Sequence, residues 1–228
     1  MRVPVEPRPD RPSIEAFCFA DAVSGAAANG RKSERTQARL RAATCRLLEF
    51  VPPAELKVAD ICREAGVAHG TFYVYFHDIH CLLADTLASF VGFVQSAMRG
   101  TATGTGHERV RSTTATYVEL FERNPGLMRC LVSRMDDYPE AMTAFQTLNR
   151  EWTATVVDAR LRRLAREYHA EAPSREELLR RAYALGGMID QYLIMLHFGR
   201  DDALAALSRD RDAVIDTLSL IWERGMEP

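Results

Sequence analysis

Lys57–Leu83, KVADICREAGVAHGTFYVYFHDIHCLL, decides the fold. A helix-turn-helix needs a short first helix, a tight turn and a second helix crossing it. Small residues must stand where the helices touch, and a glycine where the backbone turns. Val58, Ile61 and Ala65 share one face of a segment from Lys57 to Ala65, Cys62 and Ala65 are the small contacts, and Gly66 is the turn. Val67, Phe72 and Phe76 then hold the second helix against the first. Their burial turns His69, Gly70, Thr71, Tyr73 and Tyr75 outward. Those are hydrogen-bonding and phosphate-reaching groups, at the positions a recognition helix presents to the DNA major groove.

Working outward, nearly every segment after Ser33 has helical periodicity. Leu40, Ala43, Leu47, Leu48 and Val51 lie on one face of a helix that Pro52-Pro53 stops. Leu83, Leu87, Phe90, Val91, Val94 and Met98 mark a longer helix, followed by a loop or hinge, GTATGTG, over Gly100–Gly106. Val110, Tyr117, Leu120 and Phe121 mark another, ended by Asn124-Pro125-Gly126. A short helix follows over Leu127–Met135, then a long one through Met142, Phe145, Leu148, Trp152, Val156 and Leu164. Ser174 with Glu177 three residues on is a capping box. It starts a helix through Leu178, Leu185, Ile189, Tyr192 and Leu196 to Gly199, and Val214, Leu218, Ile221 and Trp222 mark the last. Alternating strand patterns are missing, so the class is all-α. Residues 1–32 read as a flexible, proline-rich tail: Pro4, Pro7, Pro9 and Pro12 lead into the small-residue run Ser24–Gly30, although Ile14–Phe19 is apolar enough to dock or form a short helix.

The composition is that of an ordinary globular chain: 228 residues, 47% hydrophobic, 26% charged and net charge −2. Disorder, collagen and a disulfide scaffold are excluded as descriptions of the whole. The five cysteines (Cys18, Cys45, Cys62, Cys81, Cys130) include no CxxC pair, which argues for a reducing cytoplasm. No signal-peptide order and no 18-residue apolar run is present, so no membrane contact is expected. The near-neutral total hides a local field. From Arg31 to Arg46, six basic residues (Arg31, Lys32, Arg35, Arg39, Arg41, Arg46) face one acidic residue, Glu34, a net of 6 − 1 = +5. A basic arm just before a helix-turn-helix suits the phosphate backbone or the minor groove.

With an apolar residue plus AD-I-x-x-x-AGV, then G-T-F-Y-x-Y-F and a polar step into a Leu-rich helix, the segment from Ser33 to Leu83 resembles the DNA-binding half of the TetR family of bacterial repressors. The resemblance implies a three-helix DNA-binding domain, here 33–80, and a larger helical bundle, here 81–228, for ligand binding and dimerisation. It places Gly70, Thr71 and Tyr73 near DNA, with Tyr73 on a phosphate and Tyr75 in a similar role, and leaves His69, at a position variable among members, to read a base edge. The family commonly carries a Lys where this chain has Ile79; His77 and His80 flank that position and substitute when protonated. Lys57 stands where Thr is common and restores a phosphate contact. The DNA-binding set is therefore Lys57, His69, Gly70, Thr71, Tyr73, Tyr75 and His77, with Arg31, Lys32 and Arg35 on the arm.

The resemblance further implies a homodimer on a palindromic double-stranded operator, joined through about 175–199 and 210–225. Gly186-Gly187 fits close helix approach there or, alternatively, room for a ligand or a bend. A small apolar or aromatic effector would release a repressor from DNA, its pocket drawn from Phe93, Tyr117, Phe121, Met128, Trp152, Met188 and Tyr192, with Tyr117, Trp152 and Tyr192 as polar tips. No metal is expected: His69, His77 and His80 have no acidic or thiolate partner at ligand spacing. No cofactor or catalytic set is indicated either, since GTATGTG lacks the GK[ST] end of a phosphate loop and no G-x-S-x-G or HExxH occurs. The alternative function is a TetR-like ligand- or partner-binding dimer that has lost DNA binding; an all-α enzyme has less support.

Overall fold

The computed structural model describes residues 17–133, 137–167 and 173–228. Its helices are α1 (Phe19–Ala26), α2 (Lys32–Leu48), α3 (Val58–Ala65), α4 (His69–Tyr75), α5 (Ile79–Thr101), α6 (His107–Arg123), α7 (Pro125–Ser133), α8 (Pro139–Glu167), α9 (Arg175–Phe198), α10 (Asp202–Leu207) and α11 (Arg211–Gly225), with a 3-10 turn at Pro53–Glu55. No strand occurs among the described residues. The chain is all-α.

Two cores share one helix. Leu40 and Ala43 of α2 meet Ile61, Cys62 and Ala65 of α3, Phe72 of α4, Phe76 just after it, and Leu82 of α5. Ala42, Cys45 and Leu48, on the other side of α2, belong instead to the large core of Leu87, Phe90, Leu120, Phe121, Leu127, Met128, Leu193 and Leu218. The α2 side chains on both sides are small enough for this: Ala42 and Ala43 are fully buried, and Thr44 returns its hydroxyl to the Leu40 carbonyl at 2.9 Å. A third cluster, Val157, Leu164, Leu178, Ala182 and Met226, closes the far end of the bundle. Arg181 pins the residues after α11 there through the Glu227 carbonyl at 2.6 Å.

Several boundaries differ from the periodicity. Residues 17–32 are not tail: α1 docks with Phe19 and Ala20 buried, and Lys32 already opens α2. The earlier part of the tail, residues 1–16, lies outside the described residues, as do Met135 and the Leu148 side chain. A division at 80/81 falls inside α5, whose Leu82 packs in the small core and Leu83 in the large one. By length and composition α5 is also apolar enough to cross a membrane. Its apolar residues are instead those of a central core helix, with Leu82, Leu83, Leu87, Phe90 and Val91 buried. Ser174 caps α9 as the capping box predicts, accepting the Glu177 N–H at 3.1 Å. The short α10 was not visible as periodicity; Asp201 starts it by accepting the N–H groups of Ala203 and Leu204.

The two units touch closely at one further place. A Cβ on Gly126, at the start of α7, would overlap the carbonyl group of Leu48, the last residue of α2. Only glycine lets the backbones of the bundle and the three-helix unit meet there.

Candidate nucleic-acid interface

The turn between α3 and α4 is built on Gly66. Its φ is +61°, and the helix end closes with Gly66 N–H to Arg63 O at 3.1 Å and Val67 N–H to Cys62 O at 2.9 Å. This double bond pattern needs a left-handed residue, which glycine adopts without strain. Arg39 of α2 then donates to the Gly66 carbonyl at 2.7 Å, and a Cβ on Gly66 would strike that guanidinium at 2.8 Å. The turn is therefore fixed to α2 by a charge-assisted bond as well as by the core.

α4 has two sides. Phe72 is fully buried and Phe76 nearly so, their rings 6.0 Å apart. His69, Gly70, Tyr73 and Val74 face solvent, with Tyr73 55% and Val74 74% exposed. Tyr73 leans edge-on against Phe72 at 5.3 Å and against His69 at 5.5 Å, so its ring is braced while its hydroxyl stays free to reach outward. No atom lies within 4 Å of a Cβ built on Gly70, which leaves that stretch of backbone bare. Thr71 is half-buried at the edge of the face. Tyr75 is less outward than its position suggests, since it packs partly on the small core. Val74 was not among the sequence candidates; as an exposed apolar residue among polar ones it suits a thymine methyl. The signal for it was its placement, one residue after Tyr73 on the side away from Phe72.

The flanking groups divide. Lys57, the residue before α3, is exposed beside the free N–H groups of that helix. His77 is exposed, 3.0 Å from the Asp78 carboxylate. Asp78 caps α5, and its carboxyl is held down to about 2, first by the Cys81 N–H and then by His77. Ile79 packs against both cores and so seals the junction between them. His80 turns away from the face, bonding the Asp137 carbonyl at 2.7 Å and stacking on Tyr138 at 4.9 Å. On the basic arm, Arg31, Lys32 and Arg35 are exposed, Arg35 donating to the Gly30 carbonyl at 3.0 Å. Arg41 and Arg46 instead tie α2 to its neighbours, pairing with Asp85 of α5 and Glu64 of α3. The +5 run thus does two jobs, and only its N-terminal half stands clear of the small core.

The residues named for an effector pocket are not all brought together. Phe121 and Met128 are fully buried in the large core, and Tyr117 meets Phe121 edge-on at 5.4 Å. Phe93 is half-buried beside Phe19 of α1 and Phe90. Tyr192 borders the same core and bonds Ser208 at 2.9 Å. Trp152 is half-buried on α8. Met188 is 36% exposed on α9, whose buried stripe is Leu178, Ala182, Ile189 and Leu193. A polar group was missed. The Tyr117 hydroxyl donates to Asp190 at 2.6 Å inside the bundle, and burial pushes the carboxyl of Asp190 and the phenol of Tyr117 up. Its trace in the sequence is that Asp190 is the sole acidic residue between Glu177 and Asp201.

Among the described residues, no three His, Cys, Asp or Glu side chains gather as a metal site. Burial pushes the Cys45 thiol up to about 12.

Residues 40–85 match the family model of bacterial regulatory proteins of the tetR family. No curated protein matches the chain in sequence. In structure it is similar to a TetR-family transcriptional regulator from Streptomyces coelicolor, 14% identical with a TM-score of 0.65 over 85% of this chain and 81% of that one. It is similar also to the fatty acid degradation regulator FadR from Bacillus halodurans, 13% identical, TM-score 0.64, over 84% and 96% of the two chains. The transcriptional regulator FadR from Bacillus subtilis, solved with stearoyl-CoA, is 14% identical with a TM-score of 0.62, over 82% and 97%. At such identities the likeness is one of fold.

Proposed function

We propose that this chain, whose residues 40–85 match the family model of tetR-family bacterial regulatory proteins, is a sequence-specific DNA-binding regulator of that family that acts in the cytoplasm as a homodimer and represses from a palindromic operator. The observation that carries this is the outward face of α4: His69, Gly70 and Tyr73 exposed over a fully buried Phe72, on a turn locked by Gly66 and Arg39. His69 and Val74 read base edges, Gly70 allows close backbone approach, and Tyr73, Thr71 and Tyr75 take phosphates. Lys57 and His77, with Arg31, Lys32 and Arg35, add sequence-independent attraction.

Dimerisation has support in the outer surfaces of α9 and α11. Tyr183, Met188 and Met195 on one, and Leu220 and Ile221 on the other, stand between about a third and a half exposed. No atom lies within 4 Å of a Cβ built on Gly186 or Gly187. Large apolar groups at that exposure mark an interaction surface, and the two glycines let a second backbone come near. Two α4 helices would then enter successive major grooves about one helical turn apart.

An effector in the bundle completes the reading. Phe121, Met128, Tyr117, Tyr192 and Phe93 surround its apolar interior, and a ligand wedged there would alter the spacing of the two α4 helices. Ligand and DNA must then lower each other's affinity by the same factor. Because FadR from Bacillus subtilis holds stearoyl-CoA, a long-chain acyl-CoA is the first effector probe.

The test is fluorescence-anisotropy titration on DNA selected from a random-sequence pool, at two salt concentrations. A palindromic site bound at least about a thousandfold more tightly than random DNA is the expected result. Weak, salt-sensitive binding with no enriched sequence would favour the second reading, a ligand- or partner-binding dimer without an operator. The observation behind that reading is Ile79, which packs into the cores where the family sends a lysine outward.

A further inference from the structure

α1 touches both halves of the molecule. It packs along α2 of the three-helix unit, and its first residues enter the bundle. The Phe19 ring lies 5.4 Å from Phe90 and 5.4 Å from Phe93, and Phe19 is only 4% exposed. Asn124, buried at the junction of α6 and α7, grips the backbone on either side of Cys18. Its Oδ1 accepts the Phe19 N–H at 2.8 Å, and its Nδ2 donates to the Phe17 carbonyl at 2.8 Å and to the Leu120 carbonyl at 3.0 Å. Oδ1 and both Nδ2 hydrogens of a buried amide are thus engaged, and two of the three bonds go to the incoming segment.

The connection from α1 to α2 is short and fixed. Glu34 accepts the Arg31 N–H at 2.6 Å, and a Cβ on Gly30 would meet the same carboxylate at 2.6 Å. Five residues therefore separate a helix anchored in the bundle from the helix on which α3 and α4 are mounted. A tether that short transmits position, since it has little slack to absorb motion.

We propose that α1 is an intramolecular strap: docked through Phe19 and Asn124, it holds the DNA-reading unit against the bundle in one orientation, and its release frees that unit to move. The strap acts at the face of α2 opposite the small core, so it sets where α4 points without touching α4. With the strap docked, a dimer offers its two recognition helices at one spacing. With it released, each unit must be ordered anew on DNA, and two half-sites suffer more than one.

The proposal rests on the DNA-binding reading only in its second arm. In the first, hydrogen exchange is followed by mass spectrometry in the full chain, in Phe19→Ala and in a chain lacking residues 1–26. Exchange in α2, α3 and α4 should rise about tenfold or more in both variants, while α8 and α9 around Leu164 and Leu178 keep their protection. A rise spread evenly over all helices would make α1 an ordinary part of the core and overturn the proposal. So would unchanged exchange in α2–α4. In the second arm, the preference for a two-half-site duplex over a single half-site should fall about tenfold in the truncated chain; an unchanged preference overturns the strap as a spacing device. If the full chain binds no DNA, the functional reading fails while the exchange measurement still decides the strap.

Discussion

α4 and α9 each bury one stripe and leave the other to solvent, but the chemistry left outside is opposite. On α4 a single phenylalanine anchors seven residues, and outside it stand an imidazole, a bare glycine, a phenol and an isopropyl group. On α9 four residues anchor twenty-four, and outside it stand Tyr183, Met188 and Met195. A polar, braced face can stay wet until a charged partner arrives. An apolar face of long side chains loses free energy in water and gains by meeting its like. In the proposed function the same device, a half-buried helix, is turned toward two kinds of partner by the residues on its free side.

That contrast can be broken first at its anchor. Phe72→Ala should cost about 3–5 kcal/mol, a cavity in a small core that has little else to collapse upon. Urea unfolding followed by circular dichroism should show the three-helix unit melting ahead of the bundle; a single unshifted transition would mean that α4 does not depend on Phe72. The next largest effect lies on the other face. Met188→Glu combined with Ile221→Glu places carboxylates on the apolar surface, and the dimer dissociation constant in sedimentation velocity should weaken about a hundredfold or more. An unchanged mass would move the interface elsewhere. On α4 and its neighbour, Tyr73→Phe should weaken DNA about tenfold across all sequences, and Lys57→Ala should reduce the salt slope by about 1. A loss confined to one base position would turn Tyr73 from a phosphate contact into a base reader.

The smallest effect sharpens the interior. Burial raises the Asp190 carboxyl above its ordinary range, so the folded chain favours the protonated form. Its stabilising contribution is full below the ordinary aspartate range and is lost as pH rises through the raised value. Asp190→Asn stays neutral and still accepts the Tyr117 hydroxyl. Its melting temperature should therefore exceed that of the parent at pH 7–8, the gap closing toward about pH 4. An equal gap at both ends would remove ionisation as the cause.

How much of this was legible in the sequence differs from element to element. The helix-turn-helix was, because Gly66, Phe72 and Phe76 sit at spacings that sterics alone enforce, and Ser174 announced α9 through its cap. The outward placement of His69, Gly70 and Tyr73 follows from the same spacing. α1 was legible only at its start: Ile14–Phe19 is apolar enough to dock, whereas Ser24–Gly30 reads as a small-residue linker, and the helix Phe19–Ala26 straddles the two, with Phe19 and Ala20 buried in the bundle core. The separate duties of the arginines were not legible: a count of charge cannot tell Arg35 from Arg41, which differ by the presence of Asp85 on a helix forty-four residues away. The exposure of Met188 was hidden for a related reason. Periodicity says that a stripe exists on α9, but which stripe faces inward depends on what α8 and α11 present to it.

The meeting of Gly126 with Leu48 has a mechanical side. Most contacts between moving parts of a protein pass through side chains, which can flip a rotamer and dissipate a displacement of a few tenths of an ångström. Here main chain rests on main chain, and neither has a torsion to yield independently of its helix. The contact is therefore stiff in compression: a shift of α7 toward α2 would press directly on the end of that helix, and a methyl group added at position 126 would force the two backbones apart.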